Sequence, residues 1–355
     1  MKSIEERVNF YTAPALRAKK EVKVDWFNLN EYKTKDIHKA IIGRGFFVLV
    51  YKEKGKIKFF NEQVLNYEGN QGKQRLAPDQ KGIPVRERYV DSLLNFMRRH
   101  GIRFSKIPIL CGDVRSADLV PVAFAKTRAS GKDSTYSLLR VMNQNRHWGK
   151  LAKITRPSAI DISKFSGKKN YVIWRGGTTG KPVGTGNRLE LVQRWFGVSK
   201  YINVGFSGII RLAKRAESDK LKALEREALD ICRRYVKGSK STESLKKYKY
   251  IISVEGSDKD SGLNWKLQSN SVIFMPKPKI TSWLMEELLI PNVHYIQLKD
   301  DFSDLEEKFE WCQGNQGECK QIIRNAQEHM FQFGDINREI EIQKQVIQNT
   351  LNLIK

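Results

Sequence analysis

The sequence predicts an α/β protein whose C-terminal part contains a doubly wound parallel sheet. Late in the chain, three short apolar runs alternate with helical patterns: Ile251–Val254, Val272–Met275 and Val293–Leu298. Each run is bounded by Gly, Pro, Asp or Ser, which is typical of parallel strands buried on both faces. Two more strand–helix pairs begin near Tyr171 and Tyr201, so that five such units follow one another.

The N-terminal half shows a more varied pattern. Two apolar runs on either side of Lys52–Lys56 predict a β-hairpin, and apolar residues at helical spacing predict an amphipathic helix over Arg86–His100. We expect further strands at Ile107–Cys111 and Val120–Ala125. The middle of Ser130–Gly149 is expected to be helical.

A change of composition marks a boundary between domains. Pro, Ser and Lys become frequent over Ile154–Lys169, which is typical of a linker. We therefore expect an N-terminal domain over residues 1–160 and a C-terminal domain over residues 161–335. Residues 336–355 predict a final amphipathic helix. That helix packs across the domains or lies on a membrane, and packing is the preferred alternative.

The charge of the chain favours an anionic partner. Its 355 residues include 64 Lys and Arg against 39 Asp and Glu, a formal net charge of +25. Nucleic acid, an acidic membrane surface and a phosphorylated substrate are the candidate partners. Nucleic acid is disfavoured, because no helix-turn-helix, zinc-finger spacing or aromatic RNA-binding strand accompanies the charge. A solvated basic surface is the remaining alternative.

The cysteines and the apolar runs bear on location. Four cysteines form neither a C-x-x-C motif nor a Cys/His ligand spacing, which favours a reducing cytosol. The first residues lack the apolar core of a secretory signal, and no run of about 18 apolar residues is present to span a bilayer. We expect a cytoplasmic protein whose contact with a membrane is peripheral.

Several motifs in one order identify a family. The stretches YKYIISVEG, LNWKLQSNSVIFMPKP and SWLMEELLIPNVHYIQLKDDFSDLEEK, with WRGGTTG and CGDVR upstream, resemble the family 90 glycosyltransferases. That family includes fungal capsule-associated proteins, animal protein O-glucosyltransferases and xylosyltransferases, and bacterial lipopolysaccharide or capsule transferases. The likeness is densest over Tyr248–Trp311 and extends in patches from about Pro108.

The resemblance implies a fold and a reaction. The implied fold is GT-B, in which two Rossmann-like domains face a cleft, here an N-terminal acceptor-side domain and a C-terminal domain that binds the nucleotide sugar. The implied reaction inverts the anomeric carbon of the sugar and uses no metal site.

Asp113 is the candidate catalytic residue. It follows a predicted strand within Gly112–Arg115, where an Asp after Gly commonly caps a turn. The resemblance implies instead that Asp113 is the general base. An inverting transfer needs one carboxylate that takes the proton of the acceptor hydroxyl as its oxygen attacks the sugar. Arg115 is a candidate for contact with the acceptor, and a surface salt bridge is the equal alternative.

A second motif resembles the donor-binding segment of the family. It follows a predicted strand and consists of Trp174, Arg175, Gly176, Gly177 and Thr178. Glycines let a backbone approach phosphate closely, and Arg and Thr can donate hydrogen bonds to the diphosphate oxygens. Animal members have a second Arg where this chain has Thr178. Arg188, at the start of the next predicted helix, is the candidate that replaces its charge, with a solvated helix residue as the alternative.

Six more residues are candidates for binding the donor: Glu255, Gly256, Ser257, Asn270, Ser271 and Glu286. The first three follow a strand and precede a predicted helix near Ser261, whose N-terminal N–H groups would meet a diphosphate. Asn270 and Ser271 begin the next predicted strand. They are candidates for contact with the nucleotide, and a plain turn is the alternative. Glu286 lies in a predicted helix. It is a candidate to accept hydrogen bonds from the ribose hydroxyls, and an exposed helix residue is the alternative.

The acidic segment near residue 300 is interpreted as structural. Asp300 and Asp301 lack a third ligand and are weak evidence for magnesium. Ser303 and Glu306 predict a capping box at the start of the next helix. We therefore expect neither a metal nor another cofactor.

These observations predict an inverting glycosyltransferase. The expected substrates are a UDP-sugar and a hydroxyl of lipopolysaccharide core or another surface glycan, with the enzyme held peripherally at the anionic inner face of the cytoplasmic membrane. Protein O-glycosylation is the alternative acceptor class. A non-enzymatic basic protein that binds nucleic acid or membrane is the alternative outside enzymes. The resemblance leaves the sugar open among glucose, galactose and xylose.

Overall fold

The chain forms two compact units. The computed structural model describes residues 1–14, 47–60, 85–110, 123–131, 134, 136–143, 148, 153–180, 186–209 and 230–353. Apart from Met1, the N-terminal unit contains Lys2–Lys150, Ile280–Leu284 and Asp335–Lys355, and the C-terminal unit contains Leu151–Lys279 and Met285–Gly334. Among the described residues, no helix combines the length and hydrophobicity needed to cross a bilayer.

The N-terminal unit is built on a mixed five-stranded sheet in the order β2-β1-β3-β4-β6. Strands β2, β1 and β3 are antiparallel, whereas β3, β4 and β6 are parallel, so this sheet departs from the all-parallel arrangement of a Rossmann-like domain. The strands are β1 Phe47–Glu53, β2 Lys56–Phe60, β3 Lys106–Leu110, β4 Ala123–Ala125 and β6 Tyr136–Leu138. The predicted hairpin is confirmed by the pairing of β1 with β2.

The helices of this unit come from both ends of the chain. They are α1 Ile4–Tyr11, α2 Val85–Arg99 and α8 Ile336–Leu353. Helices α2 and α8 confirm two predicted amphipathic helices. Glu339 of α8 and Arg7 of α1 form a buried ion pair, and Tyr11 stacks on Trp283 with ring centroids 3.8 Å apart. The first and last helices are therefore joined through the interior of one unit.

Two predictions of helical segments are wrong. The segment expected to be helical within Ser130–Gly149 contains strand β6, because Tyr136–Leu138 is buried and pairs in parallel with β4. A helix was also expected over the SWLMEELL segment. Instead, β11 Ile280–Ser282 pairs with β5 Thr127–Ala129, and only Glu286–Leu288 forms a turn of 3₁₀ helix.

The C-terminal unit confirms the predicted parallel sheet. All five strands run parallel, in the order β12-β10-β9-β7-β8. They are β7 Lys169–Gly177, β8 Ile202–Gly208, β9 Tyr248–Ile252, β10 Val272–Met275 and β12 Ile296–Gln297. The chain moves outward from β7 to β8 and then returns to the other side of β7 for β9. The strand order therefore reverses between β7 and β9.

Helices and an aromatic core support this sheet. The helices are α3 Arg188–Trp195, α4 Thr242–Leu245, α5 Leu263–Leu267, α6 Leu305–Gly314 and α7 Gln316–Phe331. Tyr250 of β9 is fully buried and its ring lies edge-on to Phe165 and Phe309. The predicted capping box is wrong. The N-cap of α6 is Asp304, whose side chain instead accepts a hydrogen bond from the Lys299 N–H at 3.0 Å.

Candidate functional site

The strand order of the C-terminal unit places a candidate site at one edge of its sheet. In open parallel sheets, ligands bind at the carboxyl ends of the strands where the strand order reverses. Here that position is the carboxyl end of β7 and β9. The WRGG segment ends β7, and the segment Ser253–Gly262 follows β9. Most residues predicted to bind the donor lie in these two segments.

The two segments touch through glycine. Gly180 has φ +107°, and a Cβ at this position would lie 3.2 Å from the carbonyl oxygen of Gly256. A Cβ on Gly256 would lie 2.7 Å from Oγ1 of Thr179, closer than side chains normally approach. Gly180 therefore favours glycine through its backbone conformation and its close approach to another backbone, and a side chain at Gly256 would displace Thr179 or Arg188.

Arg188 joins the ends of both strands. It is the first residue of α3, whose N-cap Asn187 accepts hydrogen bonds from two backbone N–H groups of the first turn. Its Nη1 donates to Gly177 O at 3.1 Å and to Thr179 Oγ1 at 2.6 Å, while Nη2 donates to Val254 O at 3.0 Å. The structure therefore fixes a positive charge at the point where the strand order reverses.

A buried ion pair lies behind the segment that follows β9. Asp260 accepts hydrogen bonds from Ser253 Oγ at 2.6 Å and from the Gly262 N–H at 2.9 Å, and it pairs with Lys266 of α5. Burial by itself would raise the pKa of Asp260, but the positive charges of Lys266 and Arg188 and these hydrogen bonds lower it to about 2. Asp260 is therefore ionised at neutral pH and holds the segment in shape.

Glu286 belongs to a second buried ion pair. Its Oε1 lies 2.6 Å from Nζ of Lys259, and both side chains are 1% exposed. Lys259 also donates to Asn264 Oδ1 at 3.1 Å. The alternative of an exposed helix residue for Glu286 is therefore wrong. Contact of Glu286 with ribose stays a prediction, and any such contact would share the carboxylate with Lys259.

The remaining residues after β9 form a tight turn. The Gly256 N–H donates to Asp258 O at 2.9 Å, which bends the backbone directly after Glu255. Glu255 Oε1 accepts a hydrogen bond from the backbone N–H of Lys279 at 3.0 Å. Ser257 is partly exposed in the same turn. The predicted helix after this turn, α5, has only five residues, and Gly262 at its N-cap provides no side-chain cap.

Trp174 and Arg175, the first two residues of the WRGG segment, make different contacts. Trp174 is buried, and the guanidinium carbon of Arg188 lies 6.0 Å from the centre of its ring. Arg175 Nη1 donates to the backbone oxygens of Trp174 and Asn203, and its Nη2 donates to Asn203 Oδ1 at 2.8 Å. Burial lowers the pKa of Arg175. Its guanidinium therefore ties β7 to β8, in contrast to the bridging position of Arg188.

The small residues of the motif differ in their surroundings. A Cβ on Gly176 would lie 2.5 Å from the ring of Trp174, whereas no described residue lies within 4 Å of a Cβ built on Gly177. Oγ1 of Thr178 is buried and has no hydrogen-bond partner in the described part of the chain. Gly177 and Thr178 therefore offer open space and an unused polar atom at the end of β7.

Asn270 and Ser271 are not brought together with the other candidates. They precede β10, and Ser271 Oγ donates to Tyr248 O at the start of β9. Asn270 binds the backbone oxygen of Asp161 at 2.9 Å and accepts a hydrogen bond from Gln327. Both residues lie at the amino edge of the sheet, separated from the site by the length of β9, about 13 Å at 3.3 Å per residue.

Other predicted residues are accounted for as follows. Asp113 and Arg115 lie outside the described residues. Asp300 pairs with Lys279 at 2.7 Å and Asp301 with Arg194 at 3.3 Å, so each carboxylate already has a cationic partner. The absence of a metal from the reaction stays a prediction.

Sequence reasoning missed two buried ion pairs, that of Asp260 with Lys266 and that of Lys259 with Glu286. We assigned no role to Asp260, Lys259 or Lys266, because their residue types alone suggest exposed charges. The available signal was their position, because charged residues that follow a buried parallel strand lie at its functional edge.

Comparisons with known proteins identify relatives of the chain. Residues 135–339 match the family model described as Glycosyl transferase family 90. An O-glucosyltransferase LpsA of Dichelobacter nodosus is 29% identical over 229 residues, which cover 64% of this chain and 61% of that protein. Protein O-glucosyltransferase 2 of Danio rerio is 37% identical over 82 residues, 23% of this chain and 16% of that protein.

The chain thus spans less than two thirds of the length of these relatives. Among solved structures, a glycosyltransferase from Rickettsia africae ESF-5 aligns with a TM-score of 0.34 and 10% identity, over 66% of this chain and 64% of that one.

Proposed function

Because the chain belongs to glycosyl transferase family 90, we propose that it is an inverting transferase that moves a sugar from a UDP-sugar to a hydroxyl of a surface glycan. The observation that carries the proposal is the position of Arg188, which bridges Gly177 and Val254 where the strand order reverses. Family membership supports the class of reaction, and the fixed positive charge at this position supports the binding of an anionic donor there.

The donor diphosphate is proposed to lie against the end of β7. None of the described residues lies within 4 Å of a Cβ built on Gly177, which supports an approach of phosphate oxygens to the backbone there. Arg188 now donates to neutral oxygens of the protein, and it can exchange one of them for a phosphate oxygen. A hydrogen bond between two charged groups is roughly twice as strong as one between neutral groups, which favours the exchange.

The chemical step is proposed to use one carboxylate of the protein. Asp113 takes the proton of the acceptor hydroxyl while that oxygen attacks the anomeric carbon, and UDP leaves from the opposite face. The bond from the sugar to UDP breaks as the bond to the acceptor forms, which inverts the anomeric carbon. UDP is a stable anion, so no second catalytic acid and no metal is required. The proposal includes a GT-B arrangement, with Arg115 on the acceptor side.

Lipopolysaccharide core is the proposed acceptor. The relative in Dichelobacter nodosus is named an O-glucosyltransferase LpsA, and the net charge of +25 suits a phosphorylated glycolipid at the inner face of the cytoplasmic membrane. A protein hydroxyl is the second candidate acceptor. A protein acceptor is supported by the similarity to the zebrafish protein O-glucosyltransferase, which extends over 82 residues.

Binding and transfer are tested in one experiment. The melting temperature is measured with millimolar UDP and with UDP-glucose, UDP-galactose and UDP-xylose, each in the presence of EDTA. Transfer is then measured with extracted glycolipid and with a peptide acceptor. We expect stabilisation by UDP without metal and transfer to the glycolipid. Unchanged melting would contradict the donor site, and strict dependence on manganese would contradict the metal-free step.

The variant Asp113→Asn tests the proposed base. Asparagine retains the shape of the side chain but cannot accept a proton, so the turnover rate should fall by roughly 10²–10⁴-fold while UDP still raises the melting temperature. Asp230→Asn, which removes an exposed partner of Arg233, is the matched control and should keep normal turnover. If Asp113 only capped a turn, Asp113→Asn would keep nearly normal turnover, because Asn caps as well as Asp. Turnover of Asp113→Asn within a few-fold of wild type would refute the assignment.

A further inference from the structure

The amino edge of the parallel sheet carries a cluster of exposed cationic and aromatic side chains. We define the amino-edge patch by six exposed residues that precede or begin β7, β8 and β9: Lys169, Tyr171, Val198, Lys200, Tyr201 and Lys247. In a parallel sheet the starts of neighbouring strands share one edge. These residues therefore lie at the end of the unit opposite to the candidate donor site.

Direct contacts hold the patch together. The Lys169 N–H donates to Lys247 O at 2.8 Å, which places two lysines side by side. The rings of Tyr171 and Tyr201 have centroids 6.1 Å apart, and Nζ of Lys200 lies 5.0 Å from the centre of the Tyr201 ring. The patch therefore combines lysines and tyrosines at one edge of the sheet.

The lysines of the patch are not neutralised by nearby carboxylates. Within the part of the chain that the structure describes, Lys169, Lys200 and Lys247 form no ion pair. The neighbouring Lys246 does pair with Glu243, at 3.0 Å. Burial, together with the charge of Lys246, lowers the pKa of Lys168 beside the patch to about 8. The local potential is therefore positive.

The aromatic and aliphatic members indicate the class of partner. Tyr171 and Tyr201 are 40% and 39% exposed, and Val198 is 64% exposed. Tyrosine is favoured where an apolar layer meets water, because its ring enters the layer while its hydroxyl stays hydrated. Lysine stems extend along such a surface and keep their ammonium groups in water. Charge alone would suit any polyanion, whereas this combination suits the surface of a lipid bilayer.

We propose that the amino-edge patch docks the protein on a bilayer that contains anionic lipids. This docking would hold the enzyme beside a membrane-bound acceptor, and only that purpose rests on the proposed function. Each well-placed lysine contributes about 1 kcal/mol at such a surface, or about fivefold in the partition coefficient. The tyrosines and Val198 add a contribution that salt does not screen.

Vesicle co-sedimentation tests the proposal with the full chain. Vesicles of phosphatidylcholine with about a third phosphatidylglycerol are compared with vesicles of phosphatidylcholine alone. The triple variant K169Q/K200Q/K247Q should partition on the order of 100-fold less onto the anionic vesicles. The matched control K54Q/K56Q/K58Q removes the same charge from exposed lysines of the β1–β2 hairpin and should bind like wild type.

A second variant separates apolar insertion from charge. Tyr171→Ser with Val198→Ser keeps every lysine, so it should bind normally at low salt and lose the fraction that wild type retains at high salt. If both lysine variants lost the same amount of vesicle binding, net charge and not the patch would account for the binding, and the proposal would be overturned. Unchanged binding of K169Q/K200Q/K247Q would overturn it outright, as would tighter binding of wild type to a single-stranded oligonucleotide than to the vesicles.

The proposal can fail independently of the proposed function. Stabilisation by UDP is measured on every variant, and it should stay unchanged because the patch lies at the other edge of the sheet. Loss of vesicle binding with intact UDP binding supports docking through the patch. Normal vesicle binding by a protein that never responds to UDP would support the patch and contradict the donor site.

Discussion

The two edges of the C-terminal parallel sheet use charge in opposite ways. At the carboxyl edge, Asp260 pairs with Lys266 and Lys259 pairs with Glu286, and all four side chains are buried. At the amino edge, the lysines of the patch are exposed and form no ion pairs within the described residues. One sheet thus presents a fixed network at one end and a diffuse positive surface at the other.

The difference follows from the cost of burying charge. A buried ion must be paired and hydrogen-bonded, because removing it from water costs several kcal/mol. Such a pair has one geometry, which suits the recognition of a small ligand. An exposed ammonium group keeps its hydration and its rotamers, so it can interact with many lipid arrangements but is screened by salt. The carboxyl edge of the sheet therefore holds its charges rigidly, whereas the charges at the amino edge are free to adapt.

Breaking the network at the carboxyl edge should have the largest effect. Asp260→Asn leaves the ammonium group of Lys266 buried without a counter-charge, which should cost about 3–5 kcal/mol of unfolding free energy. The control Asp301→Asn removes an exposed partner of Arg194 and should cost less than about 1 kcal/mol. Urea denaturation of both variants measures the difference. Similar losses would show that the buried network has no special importance.

Acid titration sharpens the same comparison. The pKa of Asp260 is about 2 in the folded protein, below its usual value of 3.8, so its ionised form stabilises the fold at neutral pH. This stability is fully present above about pH 4 and is lost as the pH falls through about 2, a change of about 2 kcal/mol. Asp260→Asn should flatten this part of the stability profile, whereas K169Q/K200Q/K247Q should leave it unchanged.

A smaller effect is expected from Arg188→Lys. Lysine keeps the positive charge but cannot bridge Gly177, Thr179 and Val254 in one plane, so the affinity for UDP should fall about tenfold. Arg194→Lys is the control, because Arg194 lies on the same helix and pairs with the exposed Asp301. Isothermal titration with UDP checks both variants. Equal affinity of Arg188→Lys and wild type would remove Arg188 from the proposed donor site.

The sequence predicted the parallel sheet because its buried strands leave an uninterrupted apolar pattern. Strand β10 is buried along its whole length and was predicted residue for residue. The mixed sheet of the other unit was harder to predict. Its strands β4 and β6 have three residues each, and their pairing depends on partners distant in the chain. Local patterns carry little information about such contacts.

The candidate site was predicted in part. The segments at the ends of β7 and β9 were found because Gly stands out at strand ends. Asn270 and Ser271 precede a strand, and the direction of the chain places them at the amino edge. The burial of Glu286 could not be predicted, because its partner Lys259 lies 27 positions earlier and a turn of 3₁₀ helix stands where a longer helix was expected. Motif matching groups residues by sequence, whereas strand direction separates them in space.

Strand β7 connects the two edges, and its length has a consequence for the acceptor. It runs from Lys169 in the amino-edge patch to Gly177 in the candidate donor site. Its nine residues span about 26 Å at 3.3 Å per residue. If the patch rests on lipid, as proposed, the length of the strand would place the proposed transfer site about 26 Å above the headgroups. The hydroxyl within reach then belongs to an outer sugar of a projecting glycan, and glycolipids trimmed to their innermost sugars should be poor acceptors in the transfer assay.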